Sequence, residues 1–240
     1  RLGVRARDAG GAVGEPYAEH VLENPRSPRV RAVAKLTKRS ARQETGLFLL
    51  EGPQAAREAL AYRPDTVIEL FATPTAMERH PDVRDAAREA GLEVEYTTEA
   101  VLDAMADTVT PQGIVAVARQ SPSSLKDVFA ASPRLVAICE EVRDPGNLGT
   151  IIRAADAAGA DAVVLTGRTV DPYNPKVVRA TTGSLFHVPV AVGADLASVV
   201  ERAHTAGLRV IAADVGGDDF LARRNLLAEP TAWLFGNEAR

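Results

Sequence analysis

Seven residues, Asn147-Leu148-Gly149-Thr150-Ile151-Ile152-Arg153, place an amide, a glycine and a guanidinium at spacings of two and four. The turn residues Asp144-Pro145-Gly146-Asn147 precede the run and mark a helix start. The first turn of a helix presents unpaired N–H groups and the positive end of its dipole, so an anion such as phosphate can bind there. A second segment has the same form. The apolar run Trp233-Leu234-Phe235 delivers Gly236, Asn237 and Glu238 at its carboxyl end, the edge where parallel sheets hold ligands.

The elements that must position these residues follow from hydrophobic pattern. A short apolar run predicts a strand over 135–139, and a periodic alanine-rich segment predicts a helix over 147–158. At 100° per residue, Ile151, Ala155 and Ala158 form one stripe, with Gly149, Arg153 and Asp156 on another face. Arg153 then need not point into the core. Strands over 162–165, 187–190, 210–213 and 231–235 and a helix over 196–206 complete this half. Helices alternating with β-branched strands imply a parallel sheet covered on both faces.

The first half also alternates. Helices are expected over 30–36, 53–61, 77–90 and 99–106, and strands over 47–50, 66–71, 92–96 and 113–118. This pattern predicts a smaller α/β sandwich. The polar, proline-bearing stretch 120–124 reads as a linker, giving an extension over 1–25, a first domain over 26–120 and a second over 126–240.

At 240 residues and 46% hydrophobic content the chain can bury two modest cores. The single cysteine, Cys139, sits in an apolar strand, cannot form an internal disulfide, and fits a reducing compartment. No 18-residue apolar run or signal-like segment is present, so the cytoplasm is expected, without membrane partners. His20, His80, His187 and His204 lack ligand spacing, so no metal is expected. No glycine fingerprint for a dinucleotide follows any strand. The formal charge of −4 disfavours general coating of nucleic acid, yet residues 26–43 hold Arg26, Arg29, Arg31, Lys35, Lys38, Arg39 and Arg42 without an acid. Such a run reads as a solvated helix face or as an RNA contact.

Together the segments at 147–153 and 233–240 resemble the SpoU (TrmH) family of RNA ribose 2′-O-methyltransferases in the SPOUT superfamily. That family's first motif is Asn-x-Gly-x-x-x-Arg, and its second is Gly-x-Glu after an apolar strand; both are matched. Stretches 35–42, 46–52, 110–116 and 179–184 are also similar to it, so the resemblance runs from about residue 28 to 240. It implies an α/β fold, with a parallel-sheet methyltransferase domain carrying a C-terminal trefoil knot and a smaller N-terminal L30e-like domain that binds RNA. It also implies S-adenosylmethionine as methyl donor, 23S rRNA as substrate and a homodimer. The Ala- and Arg-rich composition is similar to that of actinomycete resistance methyltransferases.

The resemblance makes Arg153 catalytic, either deprotonating the 2′-OH or gripping the adjacent phosphate. A guanidinium pKa above 12 makes the second role physically easier. Paired instead with Asp156 or Glu140, Arg153 would be an ordinary surface residue. Asn147 would cap the helix or orient the arginine or the substrate. Glu238 would orient and balance charge in the site. Phe235, Gly236 and Asn237 would contact the donor, with Ala213 and Asp214 as walls. Arg29, Lys35, Lys38, Arg39 and Arg42 would contact RNA. The family's third motif, a Ser-Leu-Asn segment, would follow Arg240. A chain lacking it would serve as an RNA-binding module without catalysis.

Overall fold

The computed structural model describes residues 21–214, 216–217, 225 and 228–236. In the first half, strands β1 (Leu47–Glu51), β2 (Val67–Ala72), β3 (Val94–Tyr96) and β4 (Ile114–Arg119) form one sheet in the order β1-β4-β2-β3. β4 runs antiparallel to both neighbours, and β3 is parallel to β2.

Alternation along these strands sorts two cores. Phe48, Leu50, Leu70, Ala72 and Ala116 face α3 (Pro53–Tyr62), α4 (Pro74–Arg79) and α5 (Pro81–Glu89). Leu49, Phe71, Val115 and Val117 face α1 (Pro28–Ala34) and α6 (Glu99–Met105). Each fully buried Leu or Phe of this kind contributes about 1.5–3 kcal/mol.

The single helix expected over 77–90 is two helices. Pro81 starts the second, and the residue before a proline is driven out of helical conformation; His80 has φ −125° and ψ 63°. Helix α2 (Arg39–Thr45), which sequence periodicity did not reveal, closes on Gly46 at φ 67°. The amino-terminal extension expected over 1–25 lies largely outside the described residues, but Leu22 exchanges backbone hydrogen bonds with Tyr96 and Thr98 at the sheet edge.

In the second half, β5 (Leu135–Glu140), β6 (Ala162–Thr166), β7 (Val190–Ala194), β8 (Arg209–Ala213) and β9 (Thr231–Phe235) form a wholly parallel sheet in the order β7-β6-β5-β9-β8. Both faces are covered, as its unbroken apolar runs require. Ala137, Cys139, Val163 and Leu165 pack under α8 (Pro145–Ala157) and α9 (Pro175–Thr181). Val136, Ile138, Val164 and Ala232 pack under α7 (Leu125–Ala130) and α10 (Leu196–Thr205).

The strand expected over 187–190 is displaced to β7, because Pro189 has no N–H to give to the ladder and the preceding residues turn as a 3₁₀ helix over Ser184–Phe186. The carboxyl-terminal knot implied by the resemblance falls past Gly236, outside the described residues. The linker stretch is fastened at both ends: the Gln120 side chain donates to the carbonyls of Arg42 and Leu47, and the Ser123 N–H donates to Val190.

The buried face of α8 is Leu148, Gly149, Ile152 and Ala155. This corrects the expected stripe: Ala158 is exposed, and Gly149 faces inward. A methyl group on Gly149 would lie 2.3 Å from Ala180 Cβ and 3.0 Å from the Ala180 carbonyl carbon. The absence of a side chain therefore sets how closely α8 and α9 approach. Gly149→Ala should lower the urea midpoint, because overpacking costs about 1–3 kcal/mol against roughly 1 kcal/mol regained in helix propensity. A raised midpoint would show that α9 yields at this contact.

Candidate active site at the carboxyl edge of the parallel sheet

Strand register builds the site. β5 lies at the centre; the chain moves outward through β6 and β7, then crosses to β8 and returns with β9 alongside β5. Crossovers diverge at that point and leave a crevice beyond the strand ends. Cys139 stands beside Phe235 on one side and Leu165 on the other, and Ala213 stands beside Phe235. Two of the expected donor contacts, Ala213 and Phe235, are thereby neighbours at one level, and Gly236 follows on the rim with open space where a side chain would project. Asn237 and Glu238 lie outside the described residues. Asp214 accepts from the Gly216 N–H in the loop beyond β8.

The Cys139 thiol is fully buried, and desolvation pushes its pKa up to about 12. It remains protonated and acts as packing. On the same edge, Glu140 accepts from the Thr166 hydroxyl. Glu141 takes the left-handed φ of 52° and pairs with Arg143 at 2.9 Å.

Helix α8 opens from this edge. Asp144, not Asn147, is its cap: the Asp144 carboxylate accepts from the Asn147 N–H at 2.8 Å, and Pro145 occupies the first turn. The Asn147 side chain is left exposed. Asn147 and Arg153 are separated by six residues, about 9 Å of helix rise and roughly 120° of rotation, so they do not share a face. Arg153 is exposed and makes no ion pair among the described residues. The two acids weighed above as its partners make other contacts, Asp156 with His187 and Glu140 with the Thr166 hydroxyl.

The expected RNA contacts divide in two. Lys35, Lys38 and Arg39 are exposed. Arg29 is half-exposed but gripped by Glu69 and Glu95 at 2.8 Å each, with its guanidinium 4.9 Å from the Phe71 ring centroid. Burial opposes its charge, yet those carboxylates raise its pKa further. Arg42 is corrected outright. It is 2% exposed, ion-paired to Asp171 of the second half at 2.7 Å, and donates to the carbonyls of Leu36 and Thr37. It cannot reach a phosphate.

Sequence reasoning did not identify the charged residues at the junction of the two halves. Arg179 on α9 pairs with Glu51 at 2.7 Å and Asp107 at 2.9 Å, while the Asp107 and Thr108 N–H groups also donate to Glu51. His187 lies between Glu58 and Asp156. Tyr173 inserts its ring 4.8 Å from that of Phe48 in the first domain. Arg179 does stand in a stretch that carries the resemblance, but its partner Glu51 lies 128 residues away, and no local pattern announces such a pair.

The chain belongs to the SpoU rRNA methylase family. Residues 134–240 match that family, and residues 27–116 match the MRM3-like substrate binding domain. The 23S rRNA (guanosine(2553)-2′-O)-methyltransferase RlmP of Bacillus subtilis is 37% identical over 194 residues, covering 79% of this chain and 71% of RlmP. An AdoMet-bound rRNA methyltransferase from Sinorhizobium meliloti superposes with a TM-score of 0.75 at 31% identity, covering 91% of this chain and 82% of that one. AviRb of Streptomyces viridochromogenes, a SpoU methyltransferase solved with AdoMet, gives a TM-score of 0.71 at 27% identity, covering 89% and 82%.

Arg42→Ala should cost about 3–5 kcal/mol, since it strands a partly buried Asp171 carboxylate; Lys38→Ala with Arg39→Ala should leave the urea midpoint unchanged. Equal midpoints for the two variants would refute the division of these cations into structural and free.

Proposed function

We propose that this protein methylates the 2′-hydroxyl of a ribose in ribosomal RNA. One observation carries the reading: an exposed arginine without an ion pair among the described residues, Arg153, stands on the helix leaving the central strand. That strand ends beside Phe235, which Gly236 follows, and Ala213 stands on the far side of Phe235. The family match and the AdoMet-bound relatives support it.

The crevice suits S-adenosylmethionine. Phe235 is a partly buried aromatic wall, Ala213 presents exposed backbone and a small side chain, and Gly236 leaves space for close approach. When bound, that cofactor supplies a methyl group on a positively charged sulfur. The ribose hydroxyl that would receive this methyl group gives up its proton to solvent at the open sheet edge. The chain's own task is alignment and proton handling. Arg153 grips the phosphate beside the target ribose and turns the hydroxyl toward the crevice, a role that needs no deprotonated guanidinium. Asn147, exposed on the first turn of the same helix, orients the substrate strand. Glu238 and Asn237, outside the described residues, take the roles that the family resemblance implies: charge balance in the site and contact with the donor.

Lys35, Lys38 and Arg39 hold RNA away from the reacting edge, each neutralising a phosphate. Two copies of the chain work together in this reading, as the family resemblance implies.

Labelled methyl from S-adenosylmethionine should appear in protein-free or ribosomal RNA, and Arg153→Ala should abolish it with donor affinity nearly unchanged. Equal labelling by the variant would remove Arg153 from the mechanism. RNA retention without labelling by the parent chain would instead favour a binding module. Lys38→Ala with Arg39→Ala should weaken RNA retention and reduce the salt slope by about 2; an unchanged slope would place the RNA elsewhere.

A further inference from the structure

His187 joins three parts of the molecule. It sits between the 3₁₀ turn and β7, with Nδ1 2.8 Å from Asp156 Oδ2 and Nε2 2.8 Å from Glu58 Oε2. Asp156 belongs to α8, three residues after Arg153 and so one turn further along the same helix. Glu58 belongs to α3 of the first domain. The Tyr62 ring, also from α3, lies 4.1 Å from the imidazole.

We propose that His187 is a positioning residue that ties the first domain to the helix carrying Arg153, and that its doubly protonated ring holds that helix in the geometry for methyl transfer. The inference rests on the methyltransferase reading given above.

Hydrogen-bond chemistry supports it first. Ionised carboxylates only accept, so two carboxylates on one imidazole require an N–H at both ring nitrogens. A neutral ring can satisfy one and must turn a lone pair toward the other. The backbone has also made room for the contact. Gly183 has φ +105°, and a methyl group there would lie 2.3 Å from Glu58 Cγ, along the path Glu58 takes to the ring.

Every charged or titratable group facing the ring contributes to its balance. Glu58 and Asp156 favour the imidazolium, and Arg63, Arg119 and Tyr173 line the same niche. Partial burial lowers the ring pKa, but the bonds to Asp156 and Glu58 outweigh it and leave the pKa above its ordinary 6.5. The doubly protonated ring therefore still predominates at pH 6.5, and the tie is lost as pH rises through the elevated value.

The test uses the full chain and two readouts. In the first, kcat for methyl transfer is measured against pH for the parent, His187→Arg and His187→Gln. Arginine keeps two permanently charged donors, so the ratio of parent to His187→Arg kcat should stay near one at pH 6.5 and fall as pH rises. His187→Gln should lose on the order of tenfold in kcat with KM for S-adenosylmethionine unchanged. Parental kcat in the glutamine variant, or a pH-independent ratio to the arginine variant, would overturn the proposal.

The second readout is independent of activity: ring ¹⁵N shifts of His187 should report two N–H groups at pH 6.5 and one at high pH. A single N–H at pH 6.5 would overturn the proposal even if both variants misfold. A parent that labels no RNA under any condition would refute the methyltransferase reading and the positioning role with it, while the ring shifts still decide whether the clasp exists.

Discussion

Everything in this molecule depends on how α9 is seated. This seven-residue helix lies against α8 through the Gly149–Ala180 contact, places Val178 among the core residues of the first domain, and extends Arg179 to Glu51 at the end of β1. Tyr173, just before it, occupies the same apolar cluster. One short element is thus shared by two cores. A shift of α9 would move the helix bearing Arg153 and the sheet of the first domain together, because interiors packed at crystal-like density transmit displacement instead of absorbing it.

The distribution of charge follows from that seating. A chain of net charge −4 has no surplus of cations, and the junction consumes several of them. Arg42 is held by Asp171, Arg179 by Glu51 and Asp107, and His187 by Glu58 and Asp156. Among the described residues, the exposed cations without an ion pair include Lys35, Lys38 and Arg39 at the start of the first domain and Arg153 on α8. Local basic density is therefore a poor guide here to available positive charge, since partial burial and pairing decide which guanidinium a phosphate can reach.

Much of the plan was legible from the residues. The parallel sheet and the smaller α/β half follow from apolar runs, 100° geometry left Arg153 free to face outward, and β9 lies over the expected 231–235. Short helices escaped, because α2, α7 and α9 span six or seven residues, fewer than two turns, and give periodicity little to show. Gly149 was read as polar-face when it is a packing residue, since a glycine carries no hydropathy signal of its own. The cap passed from Asn147 to Asp144 because both are good cap residues and Pro145 favours the first turn behind Asp144. Arg42 shows the deeper limit: seven cations in a row look equivalent until a distant acid, Asp171, claims one of them.

The fastening of residues 120–123 by side-chain and backbone hydrogen bonds at both ends has a geometric meaning. A free linker would let the two halves sample many separations, so any RNA with suitable local features could be accommodated. A pinned one makes the span between Lys38 and the carboxyl edge of the second sheet a fixed length. The two halves then stand like the set jaws of a caliper, at a separation fixed by hydrogen bonds and not by the length of the chain between them.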